Sequence, residues 1–184
     1  MTGTGAATDA SSAVAAAWAV LASVPDPEVP AVSLCDLGIV RDVVQHVDHL
    51  HIVLTPTYSG CPATEVIAQN VADAMHAAGL GPVVVSHRLA PPWTTDWISA
   101  EGRQKMQAYG IVPPSGRAAW ADCGDLGDPG GAAVRPMHIR PRALNCPRCG
   151  SADTERLSAF GSTACKALHR CRACREPFEY FKPL

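Results

Sequence analysis

Two Cys-x-x-Cys units, "CPRCG" at 146–150 and "CRAC" at 171–174, constrain this chain more than any other feature. A two-residue gap bends the backbone into a knuckle that aims two sulfurs at one point, and two knuckles complete a tetrahedron of thiolates around one ion. Residues 144–184 are too few to bury a self-sufficient apolar core, so metal binding is predicted to fold them. The expected ligands are Cys146, Cys149, Cys171 and Cys174, holding structural zinc in a ribbon. An iron–sulfur centre would use the same thiolates, and spacing alone leaves that alternative open. Cys165 and His169 lie near enough in sequence to replace a ligand; a buried thiol and a surface imidazole are the simpler expectations. "EPFEYFK" reads as a closing strand with Phe178 and Tyr180 on one face.

Charge divides the chain in the same place. Residues 1–134 carry five Lys/Arg and thirteen Asp/Glu, a balance of -8, whereas residues 135–184 carry ten and four, a balance of +6. A basic tail on an acidic body suits an acidic protein partner, its own neighbouring domain or nucleic acid, and nucleic acid stands last of the three. No apolar run approaches the length of a membrane span, and the first Lys or Arg is Arg41, too late for the head of a signal peptide. A cytoplasmic protein with reduced cysteines is the expectation.

Upstream, periodicity gives an α+β domain over residues 13–114, a small mixed sheet with helices on one face. Residues 1–12 are small and polar and are predicted to be disordered. A helix follows, capped at Ser11 or Ser12, with Val14, Trp18 and Leu21 on its packing face; the prolines at 25, 27 and 30 stop it. "LGIVRDVVQHV" and "HLHIVLTPT" form a hairpin turning near Asp48, Ala63–Ala78 a helix ending at Gly79, and "PVVVSHRLA" a third strand. A short helix starts at Ser99 and ends at Gly110. Residues 115–143 are rich in Gly, Ala and Pro and read as a linker that includes Cys123. Exposed sheet edges admit a homodimer.

"TYSGCPATEV" places Cys61 between the second strand and the helix after it. Unsatisfied N–H groups at a helix start favour a thiolate, and Pro62 suits a first helical turn, so Cys61 is a candidate functional thiol. A small apolar residue at a buried turn is the equal alternative from the residues alone. Asp26 and Glu28, in a proline-stiffened loop, and Glu65, in the first turn after Cys61, are candidate supporting ligands; solvated acids are the plainer reading of the loop pair. His46, His49 and His51 read as the polar face of the hairpin, and Cys35 as core. No Walker loop, dinucleotide fingerprint or Gly-x-Ser-x-Gly elbow is present, so a conventional enzyme lacks its parts.

"DPEVPAVSLCDLGIVRDV", "LTPTYSGCPATEVI", "APPWTTDWISAEGRQKMQAYGIVPP" and the "CPRCG…CRACREPFEYFK" module resemble the phenylacetate-degradation protein D family, over about residues 15–184. The N-terminal part is similar to a wider family of iron–sulfur assembly proteins. That resemblance implies a reactive thiol at Cys61, which would hold iron or a cluster transiently, beside an acidic loop at Asp26–Glu28. It implies an accessory factor rather than a catalyst, serving the oxygenase or reductase subunit of a phenylacetyl-CoA epoxidase system.

Overall fold

A computed structural model describes residues 5–114 and 144–183; the predicted linker and Cys123 lie outside them. The chain divides into two compact units, Met1–Tyr109 and Gly110–Leu184. The boundary expected after residue 114 therefore moves upstream. Its cause is β4 (Ile111–Val112), which pairs in parallel with β7 (Pro177–Phe181) of the ribbon.

In the first unit, β1 (Val40–Gln45) and β2 (Leu50–Leu54) form the predicted antiparallel hairpin, and β3 (Val83–His87) joins β2 in parallel. The resulting mixed sheet has the order β1-β2-β3. Helix α1 (Gly5–Leu21) packs on β1, α2 (Thr64–Ala77) on β3, and the two helices on each other. One sheet face is thereby buried through Val43, Leu50 and Ile52; the other stays open, with Val44 38% and Val84 47% exposed.

Helix α1 starts at Gly5 rather than at a cap on Ser11 or Ser12, so residues 5–12 are helical instead of frayed. The alanines at 6, 7 and 10 supply the propensity that the polar composition concealed. Its buried stripe runs through Ala17 and Leu21, while Trp18 is 36% exposed. Spacings of 14-17-21 and 14-18-21 both fit a helix face, and the smaller side chain admits the closer approach. In α2 the buried residues are Ile67, Val71 and Met75, with Val66 turned outward. Gly79 (φ 71°) ends that helix as predicted, its N–H bonding the His76 carbonyl while that of Leu80 reaches Met75.

Helix α3 (Ala100–Tyr109) is capped by Ser99, whose Oγ accepts the Gly102 N–H at 2.8 Å. The preceding "WTTDW" stretch ties itself to the approach to β1. Trp93 Nε1 donates to the Leu37 carbonyl at 2.9 Å, and the Arg41 guanidinium lies 3.5 Å from the centre of the Trp97 ring. Gly38 adopts φ 66°, and a Cβ there would lie 2.7 Å from both Cβ and the carbonyl oxygen of Trp97. Gly38→Ala therefore combines left-handed strain with overlap and is expected to lower the stability of the first unit by about 2 kcal/mol, read by denaturant unfolding.

The second unit holds β5 (Thr154–Ser158), β6 (Lys166–Cys171) and β7 in a sheet ordered β4-β7-β6-β5. Its apolar interior is small. Cys146, Cys171 and Phe178 form one buried cluster, with Val112 against it, and Ile111, Leu144, Ala167 and Phe181 are buried as well. Lys166 is only 2% exposed and pairs with Glu179 at 3.0 Å.

Candidate metal centre and functional thiol

The sulfurs of Cys146, Cys149, Cys171 and Cys174 all lie within 4.8 Å of one another. Cys146 and Cys174 are 3.7 Å apart and Cys149 and Cys171 3.6 Å. A tetrahedral zinc with bonds of about 2.3 Å requires sulfur separations of roughly 3.8 Å. The cage fits that ion, and the spacings are far too long for disulfides.

The two knuckles share one backbone design. Cys146 N–H bonds the Ser151 carbonyl and Cys171 N–H the Glu176 carbonyl, each five residues on. The fourth residue after each first cysteine is left-handed: Gly150 at φ 75° and Arg175 at φ 64°. Cys174 N–H also points at the Cys171 sulfur, at 3.5 Å. That backbone N–H does most to bring the Cys171 thiol down to about 7. For Cys174 the Glu176 N–H favours the thiolate, but burial and the neighbouring sulfurs outweigh it and push the thiol up to about 12. Four thiolates at this spacing repel one another, and a bound dication removes that repulsion.

Neither alternative ligand enters the cage. The Cys165 sulfur lies 3.1 Å from Thr163 Oγ1, and His169 packs between Phe178 and Tyr180 with ring centroids at 5.7 and 5.9 Å. Burial, then the charge of Arg156, holds the His169 pKa below the ordinary histidine value. The basic residues near the second knuckle are less available than the sequence suggests. Arg170 and Arg172 both bind the Glu155 carboxylate, and Arg148 binds Glu176.

Cys61 is half-buried in the turn between β2 and α2. Helix α2 begins at Thr64 with Ala63 as N-cap, so Pro62 precedes the first helical turn instead of occupying it. The start is delayed because the Cys61 carbonyl accepts both the Thr64 N–H at 3.3 Å and the Thr64 hydroxyl at 2.7 Å. Glu65 is exposed in the first turn, where its charge complements the helix dipole. Asp26 is buried, and one of its carboxylate oxygens accepts the N–H groups of Glu28 and Val29 at 2.9 and 2.8 Å. That oxygen shapes the loop. Glu28 is exposed. Among the described residues, Cys61, Asp26, Glu28 and Glu65 are not gathered into a metal-sized group of three or more; the four ribbon cysteines are.

Two residues near these loops escaped the sequence reading. Thr55, at the end of β2, is buried, and its hydroxyl has no hydrogen-bond partner among the described residues. Asp36 is also buried and binds Ser33, Ser99 and Lys105. Burial opposes its ionisation, but these donors, Lys105 first, hold its carboxyl below the usual carboxylate range. Beside it, burial and then the Asp36 charge push the Cys35 thiol up to about 11.

Comparison with known proteins assigns both units. Residues 14–86 match the family described as iron-sulfur cluster assembly protein, and residues 134–182 match the PaaD zinc beta ribbon domain. An Escherichia coli (strain K12) protein, provisionally named as the D component of 1,2-phenylacetyl-CoA epoxidase, is 46% identical over 165 residues, covering 90% of each chain. The chain belongs to the epoxidase D-component family. Among solved structures, a DUF59 domain from Bacillus anthracis is 25% identical with a TM-score of 0.50, covering 54% of this chain and 96% of that one. It shares the fold of this D-component family's first unit. A conserved hypothetical protein of Thermotoga maritima is 27% identical over 50% of this chain and 91% of that one, with a TM-score of 0.42. Among the described residues no helix is long and apolar enough to cross a membrane.

Proposed function

We propose that this protein is a maturation factor of the phenylacetyl-CoA epoxidase system, delivering iron or an iron–sulfur cluster to the oxygenase or the reductase subunit. The observation that carries this reading is a half-buried cysteine in a strand-to-helix turn, inside the region matching iron–sulfur cluster assembly proteins. A thiol in that setting is neither sealed in the core nor committed to a structural cage. Cys61 would take the cargo as a thiolate and release it when stronger ligands on the client compete. Glu28, exposed on the acidic loop, is the better candidate to assist; Asp26 serves by fixing that loop. The zinc ribbon supplies a docking surface, and the chain is not the epoxidase itself.

The test is complementation of a strain lacking the native protein. Cys61→Ser is expected to lower epoxidase activity and the iron content of both purified client subunits by roughly tenfold or more, while the ribbon keeps its zinc. Normal activity with normal client iron overturns the reading and leaves a scaffold subunit.

A further inference from the structure

We propose that Arg41 and Arg88 form a binding site for one phosphate-class dianion, at the end of the sheet where β2 gives way to the loop carrying Cys61. Strand register brings the two residues together. Val40 on β1 lies opposite Leu54 and Asp42 opposite Val53, so Arg41 is the extra residue at a register shift beside the last residue of β2. From the other side of β2, the Arg88 N–H bonds the Leu54 carbonyl at 2.8 Å. Both arginines thus flank the same residue of the central strand. Arg88 is exposed and Arg41 half-buried, so a small ion can reach the pair from solvent.

The Arg41 guanidinium is held in place by the protein itself. Its Cζ lies 3.5 Å from the centre of the Trp97 ring, and Nη1 donates to the Gly38 carbonyl at 3.4 Å. Its Nε is screened from water and has no hydrogen-bond partner among the described residues. Nε belongs to the side-on edge of the fork, with which an arginine clasps two oxygens of one anion. Charge points the same way. Lys105 pairs with Asp36 and Glu101, and Arg103 bonds the Thr95 carbonyl, whereas among the described residues neither Arg41 nor Arg88 has a carboxylate within ion-pair distance. Burial and then the Arg88 charge hold the Arg41 pKa below the ordinary arginine value, as two neighbouring cations require. A dianion between them removes that repulsion, and the single charge of a carboxylate would leave one cation uncompensated.

The site is independent of the role proposed for Cys61, and the probe is chosen to keep the two apart. The full-length, zinc-loaded chain is titrated with inorganic phosphate at constant ionic strength and about pH 8, where phosphate carries close to two charges. Heteronuclear NMR is expected to show saturation at one ion per chain, with the Arg41 Nε–H and Trp97 indole signals shifting together. Arg88→Ala should weaken binding by roughly tenfold, and so should Arg41→Lys, which keeps the charge and loses the fork. Acetate should bind at least roughly tenfold more weakly than phosphate, and Cys61→Ser should bind phosphate as the parent does. The absence of a saturable shift at tens of millimolar phosphate overturns the proposal. Parent-like binding by Arg88→Ala, acetate binding as tight as phosphate, or loss of binding in Cys61→Ser overturns it too. Because Arg88 is exposed, Arg88→Ala separates loss of a ligand from loss of fold.

Discussion

Stripping the metal from the full chain with a strong chelator at neutral pH is expected to unfold residues 144–183 and to leave the sheet of the first unit intact. The cluster beneath the knuckles is Cys146, Cys171 and Phe178, so two of its three members are themselves metal ligands, and the other buried apolar side chains of the unit are Ile111, Leu144, Ala167 and Phe181. Burying Ile111, Leu144, Phe178 and Phe181 contributes about 1.5–3 kcal/mol each, against roughly 10–16 kcal/mol for a structural zinc in a small finger. The metal therefore contributes as much as the apolar core or more, and that core alone does not offset the chain's ordering entropy. Heteronuclear NMR is the decisive measurement, because it separates the two units by residue. Collapse of ribbon amide dispersion, restored by zinc, is the expected result. Dispersed ribbon signals in metal-free protein would refute it. Cys171→Ser should reproduce the effect of chelation, whereas Cys165→Ser should not, since Cys165 bonds Thr163 instead of joining the cage.

This dependence explains why the ribbon was the most legible part of the sequence. A Cys-x-x-Cys knuckle is local: its two sulfurs are placed by a handful of consecutive residues, and the metal then determines the long-range closure. The hairpin and α2 were legible for a related reason, because strand alternation and helical spacing report a buried face over a short window. What could not be read depended on distant partners. Trp18 and Ala17 fit the helix face equally well by spacing, and only the neighbouring elements select between them. "IVPP" carries no mark of the ribbon strand it joins, since the pairing of Ile111 with Glu179 crosses the unread linker. Arg170 and Arg172 count towards the basic tail by composition, whereas Glu155, which engages both, lies a strand away. Cys61 was legible as a position and not as a role. The turn ahead of α2 was evident, but its delayed start rests on a carbonyl that no periodicity reports.

Asp36→Ala is expected to destabilise the first unit by about 3 kcal/mol, more than any other single loop carboxylate in it. The Asp36 side chain ties together segments far apart in the chain. It accepts Ser33 N–H at 3.0 Å, Ser99 Oγ–H at 3.1 Å and the Lys105 ammonium at 2.8 Å, while its own N–H returns to Ser33 Oγ. Its carbonyl accepts Ser99 N–H at 2.8 Å, and Gly102 approaches so closely that a Cβ there would lie 2.9 Å from that oxygen. Helix α3 is thus fastened by its cap to the loop before β1. Alanine would leave the Ser33 N–H and the Ser99 hydroxyl without their acceptor in a buried setting, which is the costly way to lose a hydrogen bond. Lys105→Ala should cost much less, because that ammonium is 38% exposed and water replaces its partner. Asp36 is an acid whose folded pKa lies below its unfolded value. Its contribution is therefore complete above the unfolded carboxylate pKa of about 3.9 and fades as pH falls through the lower folded value. Denaturant unfolding followed by tryptophan fluorescence in a Trp120→Phe background, which leaves Trp18, Trp93 and Trp97, reads the first unit directly. Equal losses for Asp36→Ala and Lys105→Ala would show that the ion pair rather than the buried acceptor holds α3 in place, and an acid limb that Asp36→Asn leaves unaltered would show that the ionised carboxylate contributes nothing.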